Sequence, residues 1–333
     1  MKMKLLNICN KIIINIGKQR KNTVTYLVPA AILIMCVFFT LINRQFISPQ
    51  NLINISRQMS SLLIIATGAT FIILIGSIDL SVDGVVSLCG VTSVLIAKTL
   101  IDSGYSGAIS ILAAITVGMI VSATIGLIYT SFRLPSFLVS FGFSTICYGL
   151  ALIITGGASI YSKNQSFRAI GSGSFSSIPY ISVVAIVIII ISFIISSRTK
   201  FGRNIYAIGG SERVAELCGL PVKKIKIMAF VLAGALYGLG GALMSSRLGA
   251  ASSVQGQGMA LDAIAAVVMG GTLLSGGKGG PARTILGVLI ISLLNNGLNV
   301  IGVSTYYQIL TKGIVIIIAV AATSDWSKKI VIK

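Results

Sequence analysis

Long runs of apolar residues, separated by short polar stretches, dominate the chain from about residue 23 onward. Runs of about twenty residues are long enough to cross a bilayer as a helix. Ten such segments are present, at roughly 23–42, 58–76, 82–98, 108–131, 135–155, 180–197, 226–246, 261–275, 284–302 and 306–323. The pattern predicts an all-α fold, a polytopic transmembrane helical bundle of about ten spans. The third and eighth segments are short, so either could be a tilted, broken or re-entrant helix, and the count could be nine or eleven.

Basic residues predict how these spans are oriented. With the N-terminus placed inside, most of the 26 lysines and arginines fall on the inner side of the membrane. Cytoplasmic loops of membrane proteins carry such an excess of positive charge. The distribution predicts that both termini are cytoplasmic and that the number of spans is even. Ten spans divide into two halves of five, and an odd number per half would make the halves inverted repeats, a common transporter architecture.

Composition excludes several classes of protein. The chain has 333 residues, of which 55% are hydrophobic and only 10% are charged, whereas soluble domains carry about 25% charged residues. A net charge of +19 would suggest nucleic-acid binding in a soluble protein, but basic residues that flank membrane spans explain it here, so no nucleic-acid partner is expected. The chain has no histidine and its five cysteines are scattered, which argues against a metal site, a cofactor and histidine-based catalysis.

The predicted membrane domain, residues 23–323, has no soluble module attached. Before it, residues 1–22 carry leucine and isoleucine at helical spacing with lysines between them, a pattern typical of an amphipathic helix lying on the inner membrane surface. A disordered basic tail explains this segment equally well. Asparagines and lysines interrupt its apolar residues and no cleavage site follows, so a cleavable signal peptide is not expected. Residues 324–333 are predicted to form a short cytoplasmic tail.

Five polar residues inside or at the edges of apolar segments are candidates for a solute pathway: Asp79, Asp262, Asn295, Asn296 and Asn299. Intramembrane charge is costly and is therefore often functional, but each aspartate could instead cap a helix, with Ser81 helping Asp79. Asn296 and Asn299 are three residues apart and are predicted to share a helix face. The asparagine amides could pair across helices or offer hydrogen bonds to a passing hydroxylated solute.

The longest predicted cytoplasmic loop, residues 198–225, contains a short helix with signals at both ends. Ser211 is a good N-cap, and Glu212 puts negative charge in the first turn. Gly219 suits the left-handed position at the C-terminus, and Pro221 prevents continuation. A helix of two turns is not stable alone. It must therefore dock on its own bundle or on a cytoplasmic partner.

The glycine-rich stretch from Gly271 to Gly279 superficially resembles a phosphate-binding loop but lacks its pattern. The pair Gly277-Lys278 would need glycine at position 272, which is threonine, and serine or threonine at position 279, which is glycine. The stretch is better explained as a tight turn between two spans, in which glycines supply left-handed conformations. No ATP site is therefore expected in this chain, and ATP hydrolysis is expected on another subunit.

Several motifs in a fixed order resemble the ribose-type permeases of ATP-binding cassette (ABC) transporters over roughly residues 40–323. They are Ile78-Asp79-Leu80-Ser81-Val82; Gly202-Arg203-x-x-Tyr206-Ala207-x-Gly209-Gly210 with Ala215-x-x-x-Gly219; Leu261-Asp262 with Gly270-Gly271-Thr272; Leu294-Asn295-Asn296-Gly297-Leu298-Asn299; and Tyr306-Tyr307-Gln308. The chain departs from the family's usual pattern in having Gly76-Ser77 before the first motif and Asp83 after it. Asp83 puts in doubt any detailed carry-over around that motif.

This resemblance implies a permease subunit in the cell membrane rather than an enzyme, with no cofactor. It implies that ATPase subunits contact the 198–225 loop, with these residues as candidates: Gly202, Arg203, Ser211, Glu212, Val214, Leu217 and Gly219. It also implies an extracytoplasmic binding protein and a second permease copy, identical or related, beside it in the lipid. Ribose is the closest match as substrate, while another sugar, a sugar-like signal, a nucleoside or a branched-chain amino acid stays open. An ion-coupled secondary transporter is the rival class, but few intramembrane carboxylates are present to couple an ion.

Overall fold

The computed structural model describes residues 28–100 and 106–323, which form 13 α-helices and four strands of two residues. The helices are α1 (Val28–Ile42), α2 (Pro49–Leu74), α3 (Val82–Thr99), α4 (Ser106–Phe132), α5 (Ser136–Thr155), α6 (Gln165–Ser172), α7 (Tyr180–Arg198), α8 (Lys200–Gly210), α9 (Glu212–Leu217), α10 (Val222–Leu248), α11 (Met259–Met269), α12 (Pro281–Ile301) and α13 (Thr305–Thr323). The strands β1 (Ile160–Tyr161) and β4 (Ala250–Ala251) pair antiparallel, as do β2 (Ser174–Phe175) and β3 (Ile178–Pro179). The predicted segments 1–22 and 324–333 lie outside the described residues.

The predicted spans correspond to helices. Each of the ten apolar segments overlaps one helix, and seven helices are long and apolar enough to cross a membrane: α2, α3, α4, α5, α7, α10 and α12. The third segment, predicted to be short, is one of these seven. The eighth corresponds to α11, which has only 11 residues. An all-α, polytopic bundle is therefore confirmed for the described part of the chain, whereas a count of ten spans is not.

Local sequence signals fix several helix ends. The side chain of Ser48 accepts a hydrogen bond from the Asn51 backbone N–H, and Pro49 occupies the first position of α2, where no donor is needed. Gly249 and Gly302 follow α10 and α12 with φ of 66° and 83°. Glycine adopts this left-handed conformation without a steric penalty, so both helices can stop abruptly.

Helices α2 and α10 form the centre of the bundle, and α10 packs against α2, α3 and α4. In the most apolar 18-residue stretch of α2, 83% is buried inside the bundle, against 17% in the corresponding stretch of α5. Small residues let α4 and α10 approach closely, because a Cβ atom on Gly118 would lie only 2.2 Å from the Gly234 carbonyl oxygen. Most of the packing contact therefore involves these inner helices.

Helices α4, α5 and α7 present large apolar side chains outward. Examples are Leu112, Ile153 and Ile190, which are 61%, 79% and 52% exposed. Continuous apolar surface of this kind would be unfavourable in water. Lipid tails solvate it without penalty, as expected for helices on the outside of a membrane bundle.

Candidate functional site

A polar cavity of about 310 Å³ lies where α2, α10, α11, α12 and α13 meet, and we call it the polar cavity. Its lining residues are Gln58, Ser61, Leu62, Met244, Arg247, Met259, Asp262, Ser292, Asn295, Asn299, Thr305, Gln308, Ile309 and Lys312. Three of the five predicted pathway residues, Asp262, Asn295 and Asn299, line this cavity. Asp79 and Asn296 do not.

Two of the lining residues of the polar cavity form an ion pair. Lys312 Nζ in α13 donates to Asp262 Oδ2 in α11 at 2.8 Å, and the side chains are 27% and 9% exposed. The interpretation of Asp262 as a helix cap is wrong, because Gly258 occupies the N-cap position of α11 and the carboxylate reaches another helix. The opposite charges compensate each other, which allows both to lie among apolar helices.

Side chains of α3 hold the N-terminus of α11 in place. The carboxylate of Asp83 accepts hydrogen bonds from the backbone N–H groups of Gly258 at 3.0 Å and Ala260 at 2.6 Å. Ser87 Oγ accepts a third from Gly256 at 2.9 Å. Helix starts leave such donors unsatisfied, and a carboxylate also complements the positive end of the helix dipole. Asp83 therefore fixes the helix that carries the ion-paired aspartate, a role that its sequence position alone did not indicate.

The three asparagines of α12 have different environments. Asn296 is buried and exchanges two amide hydrogen bonds with Asn51 of α2, at 2.8 and 3.0 Å. Asn299 is exposed and accepts from Gln308 at 2.8 Å. The prediction that Asn296 and Asn299 share a functional face is wrong, because α12 turns Asn296 toward α2. The residues that line the polar cavity together are Asn295 and Asn299, four positions apart.

Three polar atoms on residues of the cavity lining are buried without a hydrogen-bond partner among the described residues. They are Ser61 Oγ, Arg247 Nε and Asn295 Oδ1. Buried polar groups are nearly always hydrogen-bonded, because leaving one unpaired costs free energy. A hydroxylated solute carries both donors and acceptors, so its chemistry complements this mixture of groups.

Asp79 serves the turn before α3. It is 2% exposed, and its Oδ1 accepts from the backbone N–H of Ser81 at 2.8 Å and from the Ser81 hydroxyl at 2.6 Å. Ser81 occupies the N-cap position of α3 but makes no capping bond with its own side chain. Asp79 thus stabilises the turn before α3 by holding the N-cap residue Ser81, without being the N-cap itself.

The 198–225 loop contains the predicted short helix. The helix is α9, with Ser211 as N-cap accepting from the Val214 N–H at 3.4 Å, and Gly219 has the predicted positive φ of 76°. Val214 and Leu217 are 56% and 81% exposed. The preceding helix α8 was not predicted from the sequence. Its residue Gly202 packs so closely on the end of α7 that a Cβ atom would lie 2.3 Å from the Ile195 carbonyl oxygen.

Within the same loop, Glu212 turns inward. Its Oε1 accepts from Lys226 Nζ in α10 at 2.5 Å, whereas Arg203 of α8 is exposed. The predicted coupling residues therefore divide into exposed ones and ones held by the bundle.

The glycine-rich stretch between α11 and α12 is the predicted tight turn. Four of its glycines have positive φ: Gly271, Gly276, Gly277 and Gly279. The Gly277 N–H donates to the Leu74 carbonyl oxygen at the end of α2 at 3.0 Å, and the Tyr206 hydroxyl donates to the Gly279 carbonyl oxygen at 2.9 Å. Burial raises the pKa of Tyr206 above its usual value, so it stays a neutral donor. The turn follows a helix rather than a strand, unlike a phosphate-binding loop.

Comparison with known proteins gives a consistent family. The family described as "Branched-chain amino acid transport system / permease component" matches residues 51–320. The ribose import permease protein of Bacillus subtilis is 40% identical over 289 residues, which cover 86% of this chain and 88% of that protein. The proteins of the same name from Haemophilus influenzae and Escherichia coli are 38% and 35% identical, with 88% and 87% of this chain and 90% of each relative covered.

Proposed function

The chain belongs to this permease family, and we propose that it is the membrane-spanning subunit of an ABC importer that carries a monosaccharide, with ribose as the first candidate. It is a transport component rather than an enzyme. The relatives named as ribose import permeases support the substrate class. The ATP that drives transport would be hydrolysed by separate ATPase subunits, and an extracytoplasmic binding protein would deliver the sugar.

The polar cavity is the observation that supports sugar transport best. It combines an ion pair, amide groups and two serine hydroxyls between helices that are otherwise apolar. No aromatic side chain is among its lining residues in the described part of the chain. Groups that form hydrogen bonds without a stacking platform would hold a sugar weakly. Weak binding suits a passage, while selection would fall to the binding protein.

The exposed side of the 198–225 loop is the proposed contact with the ATPase. Val214 and Leu217 present apolar side chains to the surroundings of α9. A shallow groove at the start of α10 adjoins them, lined by Glu216, Leu220, Pro221, Val222, Lys223, Lys224, Ile227 and Met228. Apolar anchors beside charged groups are typical of protein–protein interfaces. Cysteine pairs placed on Leu217 and on the ATPase should crosslink, whereas pairs at Arg168 should not.

The protein is a multi-pass protein of the inner membrane, and the finer topology is part of the proposal. Both termini would be cytoplasmic, residues 23–323 would form one permease domain, and a second copy would complete the path. Reporter fusions after Lys333 and within residues 156–179 test the orientation. Cytoplasmic activity at Lys333 with periplasmic activity in the 156–179 segment is expected, and the reverse pattern would overturn it.

An ion-coupled secondary transporter is the rival proposal. Such a transporter needs a carboxylate that binds and releases an ion. In the described structure Asp262 is paired with Lys312 and the carboxylate of Asp83 caps α11, so neither is free to bind an ion. Asp79 accepts from Ser81 through Oδ1, while its Oδ2 is buried without a hydrogen-bond partner among the described residues, so it is the carboxylate that this rival would use.

Reconstitution distinguishes the two proposals. The chain would be placed in proteoliposomes with its ATPase and a ribose-binding protein, and uptake of labelled ribose measured. Uptake should require ATP and be unaffected by ionophores that collapse ion gradients. Ionophore-sensitive uptake by the chain alone, without ATPase, would establish the rival.

A further inference from the structure

A continuous polar chain connects the 198–225 loop to the end of α2. Glu212 of α9 accepts a hydrogen bond from Lys226 Nζ of α10 at 2.5 Å, and the same Nζ donates to the Tyr129 hydroxyl of α4 at 2.8 Å. The Tyr129 hydroxyl lies 3.0 Å from Ser77 Oγ in the turn after α2. Three contacts thus join four separate elements, and we call them the polar chain.

Lys226 is the centre of the polar chain. It is 6% exposed, whereas the Glu212 side chain is 34% exposed. A buried ammonium group is tolerated only when it is paired and hydrogen-bonded. Within the described residues, the only ion pair of Lys226 is the one with Glu212. The position of Glu212 is therefore tied to the position of Lys226.

Helix α9 depends on this connection. It has six residues, too few for a helix that is stable alone. Ser211 caps its start, but the cap does not fix where the helix sits relative to the bundle. The ion pair supplies a fixed point in addition to the buried Ala215, and both leave Val214 and Leu217 facing outward.

At its other end, the polar chain reaches the turn that ends α2, and this turn is hydrogen-bonded to the turn after α11. Ser77 follows Gly76 in the turn that ends α2, and the Leu74 carbonyl oxygen of the same segment accepts from the Gly277 N–H. Gly277 belongs to the turn after α11, the helix that carries Asp262. A shift of α9 therefore has a continuous mechanical route to one wall of the polar cavity.

We propose that Lys226 is a positioning residue that holds α9 to the end of α2 through Glu212 and Tyr129, so that movement of α9 on its ATPase is transmitted to the polar cavity. The proposal rests on the proposed function. It gives Glu212 an inward tethering role, in place of the direct ATPase contact that the sequence suggested. Energetic coupling between two sites typically amounts to about 5- to 150-fold, which sets the expected effect.

The first test measures the ratio of sugar transported to ATP hydrolysed, in proteoliposomes containing the full complex. Lys226→Met and Glu212→Gln should lower this ratio by at least about fivefold, and Tyr129→Phe by less. Exchanging the charges in the double variant Glu212→Lys/Lys226→Glu should restore part of it. Lys98→Met is the matched control, since Lys98 is an exposed lysine outside the polar chain and the 198–225 loop, and it should keep the normal ratio.

A purely structural role predicts a different result, because fewer active transporters would lower transport and hydrolysis in parallel and leave the ratio unchanged. An unchanged ratio in both Glu212→Gln and Tyr129→Phe overturns the proposal. These two variants carry the test if Lys226→Met fails to insert, since Glu212→Gln keeps an oxygen that can accept from Lys226 and Tyr129→Phe removes a single hydroxyl.

A second test does not depend on the substrate. Among the described cysteines, Cys218 beside α9 is exposed, while Cys89 and Cys147 are buried. A nitroxide on Cys218, with Cys9 and Cys36 replaced by serine, reports the mobility of α9 in the purified chain. The spectrum should sharpen in Glu212→Gln but not in Glu216→Gln. An immobile label in Glu212→Gln overturns the tether even if sugar transport is confirmed, and a sharpened spectrum supports it even if the transported solute is not a sugar.

Discussion

Two carboxylates with the same sequence context behave differently in the folded chain. Asp79 and Asp262 each lie at the edge of an apolar segment, and each was open to interpretation as a helix cap or as a functional group. Asp79 bonds within its own turn, where its Oδ1 accepts two hydrogen bonds from Ser81. Asp262 reaches 50 residues along the chain to Lys312 and lines the polar cavity. Local bonds hold one oxygen of Asp79 and leave its Oδ2 buried without a partner among the described residues, whereas the bond that holds Asp262 forms only in the tertiary fold.

The largest effect is expected from Lys312→Met. The substitution leaves the Asp262 carboxylate buried without its counter-charge, which should cost about 2 kcal/mol of stability given the partial exposure of the lysine. Uptake of labelled ribose should fall to background. Lys98→Met, at an exposed lysine, should change neither quantity. Normal uptake by Lys312→Met would remove the difference between the two carboxylates.

Adding Asp262→Asn to Lys312→Met sharpens this prediction. The double variant no longer buries a lone charge, so its melting temperature in detergent should recover toward that of the wild type. Uptake should stay low, because the cavity has lost both groups of the ion pair. Recovery of both quantities together would mean that the ion pair serves stability alone.

Asp83→Ala should have the next largest effect. Asp83 lies in α3, just after the turn that holds Asp79, and its carboxylate binds the start of α11, the helix that carries Asp262. Loss of two hydrogen bonds at the start of α11 should cost about 1–2 kcal/mol, as for other N-terminal caps. Uptake per inserted molecule should fall severalfold, since α11 carries Asp262. Asp83→Asn keeps an acceptor and should lie between Asp83→Ala and the wild type. Equal uptake in all three chains would show that α11 is positioned by other contacts.

Asp79→Ala should lower stability by about 1 kcal/mol through loss of its bonds to Ser81. Uptake normalised to the amount of protein in the membrane should stay close to normal. Asp79→Asn keeps the accepting oxygen and should be milder still. If Asp79→Asn abolishes normalised uptake while melting normally, Asp79 belongs to the transport path after all.

The smallest effects are expected from the asparagines of α12. Asn296→Leu removes the reciprocal bonds with Asn51 and should cost about 0.6 kcal/mol, the average for interhelical hydrogen bonds in membranes. Its normalised uptake should be unchanged. Asn295→Leu and Asn299→Leu should leave stability intact and lower uptake. The opposite order, with uptake lost only in Asn296→Leu, would contradict the placement of α12 around the polar cavity.

Local features of the fold were accessible from sequence. Runs of apolar residues identified the long helices, since length and hydrophobicity alone determine whether a helix can span a bilayer. The ends of α9 followed from Ser211 and Gly219, because capping acts within a few residues. The glycine-rich turn after α11 was also predicted, because the left-handed conformation that glycine allows is a property of single residues.

Tertiary pairings were not accessible. Nothing near Asp262 in the sequence points to Lys312, and nothing near Asn296 points to Asn51, because both contacts depend on how helices rotate and pack. The rotation of α12 decided which asparagines face the polar cavity, and helical spacing alone allowed either pair. Asp83 gave the one available signal, because it is an acidic residue at a position where the chain departs from the usual pattern of the family it resembles. Its hydrogen-bond partner Gly258, however, lies 175 residues away in the sequence.

The contrast between the buried α2 and the exposed α5 has a consequence for how the sequence can change over evolutionary time. A position on α5 that faces lipid must be apolar but need not have a particular shape, because lipid tails adapt to it. A position on α2 must fit neighbours packed as densely as a crystal, where one methylene group is felt. Substitutions among apolar residues should therefore accumulate on α5 and α7 and be rare on α2 and α10. Divergence between two such chains then measures elapsed time on the outer helices and selection on the inner ones.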